Sequence, residues 1–109
     1  MMLKTINCDP FWNPEKIRIA IKASLEYFLN LMREQRIFNL SENTYFKEVP
    51  PSDLQISAGE SFNGLAKILK NSEERYSVVI QYDEKSYMNK SLWEGFFKIL
   101  EDQLTKPLE

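Results

Sequence analysis

The chain has 109 residues, 43% hydrophobic and 28% charged, which is enough for one packed core, too short for two, and too apolar for a disordered tract. Fourteen basic residues against sixteen acidic ones leave a net charge of −2, which argues against nucleic-acid binding, since that affinity comes mostly from neutralising phosphates. There is no histidine and a single cysteine, Cys8, so Ser-His and Cys-His nucleophile pairs, His-bound zinc and internal disulfides are excluded.

Residues 1–107 read as one globular domain, with Leu108-Glu109 resembling the scar of a C-terminal tag vector. No apolar run approaches the roughly 20 residues that span a bilayer, and Met1-Met2-Leu3-Lys4 lacks the apolar stretch of a secretory signal. The expectation is a soluble protein of a reducing cytoplasm.

Leu3 to Cys8 alternates weakly and reads as a short strand. Asp9-Pro10 ends it, and Phe11-Trp12 stands where a hydrophobic staple would clamp the chain onto the core; a stacking platform is the functional alternative. Asn13-Pro14 then opens a helix that runs to Arg36: asparagine caps the first N–H groups, and proline at the first position loses no hydrogen bond. Ile17, Ala20, Ile21, Ser24, Leu25, Phe28, Leu31 and Met32 recur at three- and four-residue spacing on one face. Ile19, Ala23, Tyr27 and Leu29 widen this apolar arc, which predicts cover on more than one side.

Thr44 to Val49 reads as an edge strand ended by Pro50-Pro51. A second helix is expected over 58–70, with Phe62, Leu65, Ala66 and Leu69 at helical spacing; Gly59 and Gly64 weaken it by about 1 kcal/mol each. Two capping boxes, Ser52 with Gln55 and Ser57 with Glu60, compete for its start, so Asp53–Ser57 is left open as its first turn. Arg75 to Tyr82 is the strongest strand pattern, with Tyr76, Val78, Ile80 and Tyr82 on one face; Val78-Val79-Ile80 predicts an interior strand covered on both sides. Asp83 to Ser86 is a loop. The last helix is expected from Ser91, which pairs with Glu94 as a capping box, and Trp93 joins Phe28 as an expected core residue.

The element order (β)-α-β-α-β-α predicts an α+β fold of three helices on a two- or three-stranded sheet, with a miniature three-layer α/β arrangement as the alternative.

No stretch carries a catalytic, cofactor or metal motif, so the expectation is a protein without enzymatic activity or cofactor. Lys16, Arg18 and Lys22 near the start of the first helix offer an anion site. Glu73-Glu74 and Asp83-Glu84 bracket the strong strand, about 26 Å apart at about 3.3 Å per residue, too far for one shared site. The favoured reading is a small acidic protein-binding module. Immunity proteins and antitoxins that neutralise a basic toxin or nuclease share its size and charge, an analogy that no motif carries. Asp83, Glu84, Tyr82 and Tyr87 are the expected contacts with a basic partner, because aromatic side chains there flank two carboxylates. The alternative is a small-ligand or anion-binding protein, or an enzyme, using Lys16, Arg18 and Lys22.

Overall fold

A computed structural model describes residues 2–34, 45–49, 53–57, 62–71, 73–84 and 87–107. These form β1 (Met2–Asn7), α1 (Pro14–Glu34), β2 (Tyr45–Val49), β3 (Asp53–Ser57), β4 (Asn63–Lys70), β5 (Tyr76–Tyr82) and α2 (Tyr87–Leu104). Every strand pair is antiparallel, and the sheet order is β1-β5-β4-β3-β2. The α+β class holds, but the described residues contain two helices and five strands, so the alternating order is overturned.

The main correction lies at 58–70. Its described part is strand β4, preceded by Phe62. Ala66 and Ile68 point into the core opposite Ile80 and Val78, while Leu69 points out. A short apolar run satisfies periods of both 2 and 3.6, and the arbiter here is pairing with β5, the strand that follows across a turn. Asp53–Ser57 is strand β3, with Leu54 and Ile56 fully buried. Helix α2 begins at Tyr87, so Ser91 lies inside it and is not its cap. Leu108-Glu109, Pro50-Pro51 and Gly59 lie outside the described residues.

Both helices pack on one face of the sheet. Ile6, Leu54, Ile56, Ala66, Ile68, Val78, Ile80 and Tyr82 all point toward them and are buried. Leu3, Thr5, Asn7 and Leu69 on the other face are exposed. The three-layer alternative is therefore excluded for the described residues. Strand β5 is interior as expected, but Val79 is only partly buried, so cover comes from one side.

Helix α1 starts where its cap predicts. The Asn13 Oδ1 accepts from the Lys16 N–H at 2.9 Å. Ile17, Ile21, Leu25 and Phe28 face the sheet and α2; the helix is described to Glu34, and the expected end at Arg36 lies outside the described residues. In α2, Trp93, Phe96 and Leu100 are fully buried.

An aromatic cluster joins the layers. Phe62 stacks on Trp93 at 3.9 Å between ring centroids, and Phe28 packs 5.9 Å from Phe62 and 6.1 Å from Phe96. Two glycines leave room for it. A Cβ on Gly64 would lie 2.7 Å from the Trp93 Cη2 and 2.9 Å from the Gln81 carbonyl oxygen; one on Gly95 would lie 3.1 Å from the Phe28 Cε1. At the β4–β5 turn, the Asn71 Oδ1 accepts from the Glu73 and Arg75 N–H groups at 2.9 and 3.0 Å. Glu74 adopts a left-handed φ of 63° there.

Truncating Phe28 or Trp93 to alanine removes a fully packed ring and is expected to cost about 3–5 kcal/mol. Gly64→Ala is expected to cost about 1–3 kcal/mol by overpacking, because one of its two close neighbours is backbone and cannot rotate away. Chemical denaturation of the three variants checks both statements, and a variant as stable as the parent would show that its position is not tightly packed.

Candidate functional site

Helices α1 and α2 run antiparallel. The start of α1 is tied to the end of α2: the Asp9 N–H donates to the Leu104 carbonyl at 3.0 Å, and the Trp12 Nε1 to the Lys106 carbonyl at 2.9 Å. Trp12 thus does the clamping expected of the aromatic pair, while Phe11 is 76% exposed. Farther along, Phe28 meets Gly95 and Phe96. Between these fixed points the helices enclose a groove of about 1150 Å³ that no strand residue lines.

One wall of the groove is the stripe Ile19, Ala23 and Tyr27, successive turns of α1. Ile19 is 59% and Tyr27 57% exposed. Ala20 and Ser24, both buried, lie beneath them, and Ile99 contributes from α2. The sequence marked this site by an apolar arc wider than one layer of sheet can cover. The expectation that cover would come from a second side is not met among the described residues: Leu29 is buried, while Ile19, Ala23 and Tyr27 stay open.

Four charges line the groove: Lys16, Lys98, Glu101 and Asp102. The two carboxylates are already engaged, Glu101 with Lys4 at 3.7 Å and Asp102 with Lys106 at 3.1 Å. Among the described residues, Lys16 and Lys98 form no ion pair. The groove therefore offers an apolar strip with two ammonium groups available beside it.

The loop after β5 is arranged differently from the sequence expectation. Tyr82 is not a surface aromatic: its ring packs 5.0 Å from Trp93 and edge-on to Phe97 at 4.9 Å. Its hydroxyl donates to the Glu84 Oε1 at 3.4 Å. Burial first, then the Glu84 carboxylate, push the Tyr82 pKa above its ordinary value. Glu84 is half-buried and Asp83 is exposed. Tyr87 opens α2, and its side chain lies outside the described ones. Of the four expected contacts, Asp83 is the one whose side chain is both described and exposed.

The basic trio is split. On a helix advancing 100° per residue, Arg18 and Lys22 share one side, and Lys16 lies on the other, where it lines the groove. Glu73-Glu74 and Asp83-Glu84 sit at opposite ends of β5, as their spacing requires. Among the described residues no three Cys, Asp or Glu side chains are grouped to hold a metal ion. No helix among them is long and apolar enough to cross a membrane.

Cys8 is buried, and burial raises its pKa from the ordinary 9.0 to about 11. The folded state thus holds the thiol proton more tightly than the unfolded chain does. That contribution to stability is fully present below pH 9 and is lost as pH rises toward 11. Two outcomes are expected. A thiol reagent at neutral pH labels Cys8 only after denaturant is added, and Cys8→Ala shows a shallower loss of stability between pH 9 and 11 than the parent. Rapid labelling of the native protein would place the thiol at the surface.

Comparison with known proteins finds no family model, no curated relative and no solved structure that matches this chain.

Proposed function

We propose that this chain is a protein-binding module whose contact surface is the groove between α1 and α2. The observation that carries the reading is the Ile19–Ala23–Tyr27 stripe, left more than half exposed at its two large residues in a concave site. Apolar surface gains most from being covered, at about 25 cal/mol per Å² removed from water. Grooves between two helices take the apolar face of a third helix through residues spaced three and four apart. The proposed partner element is an amphipathic helix carrying carboxylates, placed to meet Lys16 and Lys98.

A second reading keeps the toxin-inhibitor analogy. In an immunity- or antitoxin-type protein that neutralises a basic toxin or nuclease, the Asp83–Glu84 loop would face the basic partner. Its support is the exposure of Asp83, which forms no ion pair among the described residues. This loop leads into α2 at Tyr87, eleven residues before Lys98, or about 16 Å along the helix at about 1.5 Å per residue. The two surfaces are therefore separable by mutation. Small-ligand or anion binding through Lys16, Arg18 and Lys22 is less well supported, since the helix puts Lys16 on a different side from the other two.

A photoreactive amino acid in place of Tyr27 should capture the partner in native cell extract, for identification by mass spectrometry. Ile19→Glu with Tyr27→Glu should then weaken binding more than tenfold without lowering Tm, because both side chains are exposed. Asp83→Lys with Glu84→Lys should leave binding within a few-fold. The reverse pattern, with strong salt dependence, would favour the toxin-inhibitor reading. If neither pair of substitutions changes binding, the groove and the loop are both excluded as the contact.

A further inference from the structure

We infer that the outer edge of β1 pairs with the same edge of a second copy, joining two five-stranded sheets into one. Among the described residues, strand β1 lies at the end of the sheet, bonded on one side only, to β5. The Cys8 N–H donates to the Tyr76 carbonyl at 3.0 Å, continuing a register in which Ile6 faces Val78 and Lys4 faces Ile80. In an antiparallel ladder each residue aims both its N–H and its C=O to the same side, and successive residues alternate. Met2, Lys4 and Ile6 therefore bond to β5. Leu3, Thr5 and Asn7 aim their backbone groups outward.

The two ends of the sheet are defended unequally. Strand β2, at the opposite edge, carries Lys47 and Glu48 in five residues and is followed by Pro50-Pro51. Charges and prolines are the usual means of keeping an edge single. Strand β1 has no proline, and its pairing with β5 runs from Met2 to Asn7 without a bulge. Its one charge, Lys4, points to the helix face, where it meets Glu101 at 3.7 Å. Leu3 is 62% and Met2 44% exposed.

The register argues for a second copy in place of a foreign strand. A two-fold axis through Thr5 sets Thr5 opposite Thr5 and Leu3 opposite Asn7, so every outward group is matched, for about six backbone hydrogen bonds. Lys4 then lies opposite Ile6 of the other copy. Moving the axis to Lys4 would set two ammonium groups face to face, and like charges directly opposite are unfavourable. Moving it to Ile6 would leave Leu3 beyond the end of the partner strand. One register thus satisfies the edge from its own sequence. Both copies keep their helices on the same side of the joined sheet.

Sedimentation of the full chain over a range of concentrations, up to millimolar, tests the inference. The expected result is a concentration-dependent species of twice the 12.9 kDa chain mass. Thr5→Pro removes one outward N–H while leaving every bond to β5, and should give a monomer with unchanged circular dichroism. Should that variant fail to fold, cross-linking in a Cys8→Ala background decides. Thr5→Cys should form a disulfide-linked dimer on oxidation, since opposed Cα atoms in such a pair lie about 5.5 Å apart, within disulfide range. Leu3→Cys should not, because its two copies are about 13 Å apart in this register. A parent chain that stays monomeric at all concentrations would overturn the inference and leave the edge to a foreign strand. A folded Thr5→Pro dimer, or Leu3→Cys cross-linking as fast as Thr5→Cys, would also overturn it.

Discussion

The stack of Phe62 on Trp93 is the contact on which the rest of the structure depends. The two rings lie 3.9 Å apart and nearly parallel. Phe62 comes from the chain just before β4 and Trp93 from the last helix, so one contact joins the sheet to α2. Phe28 extends the cluster to α1 through Phe62 and Phe96. Aromatic pairs contribute about 0.5–1.5 kcal/mol beyond the area they bury. Here they also set where the helices can lie. Gly64 lets the Trp93 ring reach the sheet, and Gly95 lets Phe28 approach α2. A side chain at either glycine would push a layer outward.

Because that cluster draws both helices to one face, each layer keeps one side uncovered among the described residues. The uncovered side of the helices is the groove with Ile19 and Tyr27; that of the sheet carries Leu3 and Leu69. Exposed apolar residues scattered singly need no explanation, whereas a stripe of three successive turns in a concavity does. The open strand order separately leaves β1 unpaired on its outer side among the described residues.

Burial also quiets much of the chemistry that the composition left available. The Cys8 thiol is enclosed and its pKa is raised, which makes it a poor nucleophile at neutral pH because the thiolate is the reactive form. Tyr82 is turned inward with its hydroxyl on Glu84. The Trp93 Nε1 is buried without a hydrogen-bond partner among the described residues.

Local signals were read correctly where chain neighbours decide the outcome. Asn13-Pro14 set the start of α1, the alternation from Tyr76 to Tyr82 marked β5, and Phe28 and Trp93 declared themselves core by their place on apolar faces. The width of the apolar arc on α1 even carried the groove, although it was read as a demand for more cover. Sequence alone could not place 63–70 in a strand: Phe62, Leu65, Ala66 and Leu69 suit a helix, and the deciding partner, β5, pairs with residues 64–70 across a turn. Nor could it tell that Tyr82 faces inward, since strand alternation names two faces without saying which one the helices will cover. Composition alone removed imidazole chemistry and internal disulfides, because those need residues the chain does not have. Which apolar residues stay exposed was settled only by tertiary packing, because burial is a property of what lies opposite, and in this fold both helices lie on the same side.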